Sequence, residues 1–287
     1  MTTRELGRTG IKVFPIGLGG MPISIQNRPD EAQALSVIEA SLNAGVTFID
    51  TADVYCMDDS DIGHNERLIA KALKANGKTG SITVATKGGL KRPGGDWTRD
   101  ASPKHLRSAC EASLKALDTD CIALYQLHAP DPEIPLEDSV GEMKKLQVEG
   151  KILHLGLSNV DLKELELAET VARIESIQNR CSPFDREDYD NGLLTACEER
   201  GISYLPYGPV GGHRGHARLG DNAIITALAD KYDATAYTVV LAWHLAKSDA
   251  ILPIPGASKI TSAESSPRAA LLEIDDKDLA QLDTLMD

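Results

Sequence analysis

Short apolar runs punctuate this chain, and almost every one ends on glycine or on a polar side chain able to do chemistry. Residues 13–16 lead into the glycines of 17–20. Residues 46–49 end at Asp50, with Tyr55 close behind, and 82–86 end at Lys87. Residues 122–127 end at His128, 153–157 at Ser158 and Asn159, and 174–177 at Gln178 and Asn179. The last two runs, 202–206 and 251–254, end at Tyr207-Gly208 and Pro255-Gly256. The runs are apolar on both sides, as parallel strands buried on both faces should be.

The stretches between the runs carry helix signals. Asp30 is placed to cap a helix stopped by Gly45. Ser102-Pro103 pairs a cap with proline at the first helical position, ahead of an apolar face at Leu106, Ala109, Cys110, Leu114 and Leu117. Helices are also predicted over 136–149, after Asp161 with Glu164 as a capping box, and over 189–200, 222–231, 235–246 and 275–286. Strand and helix therefore alternate throughout, which argues for a parallel sheet. The spacing predicts a single domain over residues 1–287: a (β/α)8 TIM barrel of eight parallel strands, with a short N-terminal hairpin before residue 13 closing the barrel bottom. At 287 residues the chain matches the roughly 250 such a barrel needs. An open doubly wound sheet usually announces itself with G-x-G-x-x-G; here the first run leads to G-L-G-G-M-P, where Pro22 interrupts the turn.

Composition narrows the class. Hydrophobic residues make up 42% and charged residues 25%, ordinary for a globular protein. A net charge of −13 repels phosphate backbones and anionic membranes, so neither a nucleic acid nor a membrane is expected as partner. Cys56, Cys110, Cys121, Cys181 and Cys197 form no disulfide framework, and a reduced cytoplasmic setting is expected. Residues 1–13 do not resemble a signal peptide, and no run approaches the ~18 apolar residues of a membrane span. His213 and His216 lie in a glycine-rich loop, a weak metal signal set against a solvated loop, and no metal is expected.

In a parallel barrel all strand C-termini open on one face. Asp50, Tyr55, Lys87 and His128 would then meet there. A lysine ammonium beside a phenol favours the phenolate and lowers its pKa. Asp50 would keep Lys87 charged, and a neutral His128 could orient a carbonyl oxygen. Such a set protonates an oxygen that is gaining negative charge. No serine elbow and no paired catalytic carboxylates appear, so a reductant must come from a cofactor such as a nicotinamide dinucleotide.

At these residues the chain resembles the aldo/keto reductase family. R-E-L-G-R-T-G-I-K-V (4–13) resembles its opening hairpin. G-V-T-F-I-D-T-A-D-V-Y (45–55), G-H-N-E (63–66), A-T-K-G-G (85–89), L-Y-Q-L-H-A-P-D (124–131), G-L-S-N-V (156–160), S-I-Q-N-R (176–180) and I-P-G-A-S (254–258) follow in order. The resemblance implies a barrel that binds NADPH across the strand C-termini and reduces an aldehyde or ketone to an alcohol. It implies Tyr55 as proton donor, Lys87 and Asp50 tuning it, and His128 orienting the carbonyl. By motif position Ser158, Asn159 and Gln178 hold the carboxamide edge of the nicotinamide and Tyr207 stacks on its face. Gly20 and Met21 line the ring pocket, and Gly208, Pro209, Val210, Gly211 and Gly212 lie along the pyrophosphate. Pro255, Gly256, Ser258 and Lys259 approach the adenosine ribose, with Lys259 facing a 2′-phosphate, and Glu264 retains the first acid of the segment that follows.

This tail departs from the family pattern. The basic residue comes one place late, and Ser266 stands where an adenine-binding asparagine is usual, so NADH stays open beside NADPH. Histidine rather than glutamate at the fourth catalytic position favours carbonyl reduction over reduction of a conjugated C=C bond. Met21, Met57, Trp97 and Phe184 lie just past strand ends, where they could line an apolar mouth or pack within loops. A monomer is expected. Two other readings remain: a Schiff-base lyase using Lys87 as nucleophile, and a cofactor-binding regulatory subunit without activity.

Overall fold

A computed structural model describes residues 3–285, without the side chains of His213 and Arg214. The predicted alternation folds into one curled parallel sheet. Its strands are β1 (Leu18–Gly19), β2 (Phe48–Asp50), β3 (Thr83–Gly88), β4 (Ile122–Leu127), β5 (Ile152–Ser158), β6 (Ser176–Gln178) and β7 (Ser203–Tyr204). Each pairs in parallel with its sequence neighbour, so the seven-stranded order is simply chain order.

The eighth run closes the curl, but not as a regular strand. It touches β7 and the residues after it through the parallel bridges Tyr204–Ile251 and Tyr207–Ile254, and β1 through Gly19–Gly256. Backbone hydrogen bonds run from Leu252 N to Tyr204 O (2.8 Å) on one side and from Gly19 N to Pro255 O (2.9 Å) on the other. Pro253 and Pro255 carry no N–H, so a continuous ladder cannot form there. The expected eight ladder strands are therefore seven plus one bridged segment.

The first run also differs from expectation. Val13 belongs to the hairpin, pairing with Arg4, and the barrel strand begins later at Leu18. Pro15 again removes a donor, while Phe14 N bonds the Thr47 side chain at 2.8 Å. The hairpin plugs the barrel as predicted: Leu6 and Val13 share one buried cluster with Phe48, Ala85, Leu124, Leu205, Leu252 and Ile254. Arg4 fastens it by donating to the carbonyl oxygens of Leu245, Ser248 and Ile251.

Helix starts follow the caps. Asp30 accepts from Gln33 N at 2.8 Å, Ser102 from His105 N at 3.3 Å, and Thr235 from Thr238 N at 3.0 Å. Asp161 and Glu164 form the reciprocal capping box. The helix predicted over 189–200 is two, Glu187–Asp190 and Leu193–Arg200, because Gly192 takes a left-handed φ of 93° between them. The last helix is Asp276–Leu282, shorter than predicted, and Met286 lies outside the described residues. Helix His64–Ala75 and the hairpin of Leu90–Lys91 with Thr98–Arg99 were not anticipated. Among the described residues no helix is long and apolar enough to cross a membrane.

Candidate active site

The polar residues that end the runs do converge. Asp50 ends β2, Lys87 is next to last in β3, and Ser158 and Gln178 end β5 and β6. His128 follows β4 directly. Lys87 Nζ donates to Asp50 Oδ2 (2.6 Å), to the Thr51 carbonyl (2.8 Å) and to the Tyr55 hydroxyl (3.0 Å). All three ammonium donors are thereby used. The Tyr55 and His128 rings meet edge to face, 5.7 Å between centroids.

One residue absent from the sequence reading completes this floor. Gln126, on β4 opposite Lys87 in register, donates to Asp50 Oδ1 at 3.1 Å, and Gln178 donates to the same oxygen at 2.7 Å. Gly156 makes room for it: a Cβ there would lie 2.1 Å from Ser176 Oγ and 2.9 Å from Gln126 Cγ. The signal was a lone amide inside an otherwise apolar strand.

Burial governs the electrostatics. Lys87 is fully enclosed, which disfavours its charge, but Asp50 and then Tyr55 outweigh burial and raise its pKa above the ordinary lysine value. A lysine held charged in this way is a poor Schiff-base nucleophile. His128 is pushed well below the usual imidazole value by burial and then by the Lys87 charge, so it is neutral at pH 7. The Tyr55 phenol runs against expectation. Lys87 does favour the phenolate, but burial is larger and the net shift is upward. Tyr55 therefore rests as a protonated phenol beside a fixed positive charge, with a neutral imidazole on its other side. This set can give a proton to an oxygen atom and stabilise the phenolate left behind.

Asn159 links the floor to the rim. It takes a left-handed φ of 59°, which asparagine tolerates better than most residues. Its amide donates to the His128 carbonyl (2.9 Å) and to Ser158 Oγ (3.0 Å), and its Oδ1 accepts from the Tyr207 hydroxyl (2.8 Å).

Known proteins share this fold. The family model described as "Aldo/keto reductase family" matches residues 15–287. The chain belongs to the aldo/keto reductase family. It is 34% identical to the Glycine max protein named "Probable aldo-keto reductase 1", over 97% of this chain and 87% of that one. The thermostable aldo-keto reductase Tm1743, solved with the inhibitor epalrestat, superposes with a TM-score of 0.85 at 29% identity, covering 99% of this chain and 100% of that one. A Klebsiella pneumoniae aldo/keto reductase, solved with NADP and acetate, gives a TM-score of 0.85 at 25% identity, covering 100% and 96%. As an aldo/keto reductase the chain is an NAD(P)H-dependent oxidoreductase of small carbonyl compounds.

The other expected site residues of this aldo/keto reductase occupy the rim. Gly208, Gly211 and Gly212 all have positive φ (61°, 92° and 64°), so the 208–212 loop turns as only glycine does easily, and Val210 packs beneath it. Pro209 O accepts from His244 Nε2 at 2.9 Å. Gly20 packs so closely on Asn65 that a Cβ would lie 2.3 Å from its Oδ1, and Gly256 would meet Pro22 at 2.6 Å. Ser258, Lys259 and Glu264 are exposed around helix Ile260–Ser265.

Of the residues named for the mouth, Trp97 makes T-shaped contacts with Tyr55 and His128, 6.5 and 6.3 Å between ring centroids. Met21 packs against the cluster holding Tyr55, and Met57 is exposed. Phe184 instead packs with the cluster around Trp243, under Arg218. Among the described residues no group of three His, Cys, Asp or Glu side chains gathers as for a metal; His213 falls outside that description.

Two features fit a nicotinamide and a carbonyl at this mouth. His128 Nδ1 is buried without a hydrogen-bond partner among the described residues. Gln178 spends its amide N–H groups on Asp50 and Gln126 (3.2 Å), which leaves its Oε1 as the atom able to accept from a carboxamide N–H.

Proposed function

We propose that the chain reduces an aldehyde or ketone to the alcohol with NADPH, with Tyr55 as the proton donor. The observation that carries this reading is Lys87 Nζ, bonded at once to the Tyr55 hydroxyl and to Asp50 in a buried floor. When bound, the dinucleotide supplies hydride to the carbonyl carbon. The Tyr55 O–H bond breaks as the carbonyl oxygen takes its proton, and the electron pair left on the phenolate is stabilised by Lys87. Asp50 holds that ammonium in place, while Gln126 and Gln178 hold Asp50. His128, neutral, orients the carbonyl.

Ser158, Asn159 and Gln178 are assigned to the carboxamide of the cofactor, and Tyr207 to the face of its ring. Gly20 and Met21 are assigned to the ring pocket, 208–212 to the pyrophosphate, and 255–259 with Glu264 to the adenosine end. Backbone N–H groups in glycine-rich turns suit a pyrophosphate.

The same reading takes the chain as a cytoplasmic monomer. Its five cysteines are unpaired, which suits a reducing compartment; light scattering on purified protein tests the monomer. The activity is tested by NADPH consumption across a panel of aldehydes and ketones, repeated with NADH. Turnover of a carbonyl with NADPH is expected; no turnover with any carbonyl and either nucleotide would contradict the proposal.

A further inference from the structure

Arg92 is the anomaly of this mouth. It is 1% exposed, and none of the ion pairs among the described residues includes it. Enclosing a guanidinium without an acid is costly, and an apolar side chain of similar size would pack more cheaply. Its Nη2 bonds Gln26 Oε1 (3.2 Å), Cys56 O (3.1 Å) and Met57 O (3.0 Å), while Nε and Nη1 are buried without partners. Its ζ carbon lies 4.0 Å from the centroid of the Trp97 ring. Gln26 follows β1, Cys56 and Met57 directly follow Tyr55 after β2, and Trp97 sits in the hairpin after β3. One side chain thus ties three mouth loops together. The Trp97 ring under this guanidinium makes T-shaped contacts with both Tyr55 and His128.

We propose that Arg92 is a positioning residue of the carbonyl pocket: it clamps Trp97 beside Tyr55 and His128, and so favours carbonyl compounds bearing a flat aromatic group over short aliphatic ones. The substrate preference rests on the function proposed above; the clamp itself does not. A planar guanidinium can stack on the indole and fork to several carbonyl oxygens at once, which an ammonium cannot. Trp97, 46% exposed, keeps the rest of its surface free for a substrate.

Tryptophan fluorescence reads the clamp without turnover. The chain has two tryptophans, and Trp243 is fully buried, so acrylamide reaches Trp97 alone. Arg92→Lys and Arg92→Met are expected to make the accessible fluorescence more quenchable. The KM for benzaldehyde is expected to rise about tenfold, the scale of a lost desolvated cation–π contact, with kcat falling less and the KM for propanal moving much less. Trp97→Ala should reproduce the benzaldehyde effect, and adding Arg92→Met to it should cost little more.

Wild-type quenching and wild-type benzaldehyde KM in Arg92→Lys would overturn the proposal, as would an equal rise for propanal. Should Arg92→Met fail to fold, an unchanged benzaldehyde-to-propanal ratio in Trp97→Ala overturns it alone. A wild-type protein inactive on both aldehydes and every other carbonyl would defeat the parent reading and the substrate preference with it, while quenching still decides the clamp.

Discussion

The floor around Asp50 and the loop over 208–212 are built on opposite terms. In the floor, side chains from β2, β3, β4 and β6 saturate one another: Asp50 accepts from Lys87, Gln126 and Gln178, and all of these are buried. The loop is held by backbone turns at Gly208, Gly211 and Gly212 and by side-chain ties to two of its carbonyls, from His244 to Pro209 and from His216 to Gly212. The proton transfer proposed for the floor would need its groups fixed within a fraction of an ångström, which strand ends can supply. The polyanionic dinucleotide proposed to lie along the loop would need backbone donors on an open rim, which glycine turns can offer. The two regions should therefore fail in different ways.

The floor should fail hardest. Lys87→Met leaves the Asp50 carboxylate buried beside two amides, a loss of about 3–5 kcal/mol for a broken buried pair. Urea denaturation should show that drop, and turnover should vanish with it; a fully stable Lys87→Met protein would break the contrast drawn here.

The His244 tie to the loop should fail with acid. His244 accepts from the Tyr189 hydroxyl at 2.5 Å and donates to Pro209 O, and burial lowers its pKa to about 4. The unfolded chain protonates this group near the free value of about 6.5. Between those values the unfolded form binds more protons, so stability rises with pH, is complete above about 6.5, and is lost as pH falls towards 4. His128, lowered by burial, adds in the same direction. The His244 share is on the order of 3 kcal/mol. His244→Gln should flatten that part of the urea-midpoint profile; an unchanged slope would remove His244 from the account.

Smaller effects sharpen the cofactor end. Lys259→Ala should weaken NADPH roughly tenfold, the scale of one charge-assisted contact, and NADH much less. Equal weakening of both would take Lys259 away from the 2′-phosphate. EDTA should change nothing, and any loss of activity would mean a metal takes part.

What could be read from the chain follows the same division. Asp50, Lys87, His128, Ser158 and Gln178 were legible because each terminates an apolar run, and a parallel sheet brings such ends together whatever lies between them. Gln126 was missed because it sits inside a run, where only its polarity marks it. Arg92 was missed because R-P-G-G-D reads as an ordinary turn, and its partners come from three separate loops. The interruption of the eighth strand was written in Pro253 and Pro255, and the split helix in Asn191-Gly192, but neither weighs much until pairing partners are known. The upward shift of the Tyr55 pKa was not legible at all, since it depends on enclosure rather than on neighbours in sequence.

The central claim is that the Tyr55 hydroxyl delivers the proton. Tyr55→Phe removes that one oxygen and keeps the ring packed against Trp97 and His128. With a good aldehyde and saturating NADPH, kcat should fall at least about 100-fold, as for a lost general acid, while NADPH affinity stays near that of the wild type. A Tyr55→Phe enzyme turning over at the wild-type rate would contradict the account.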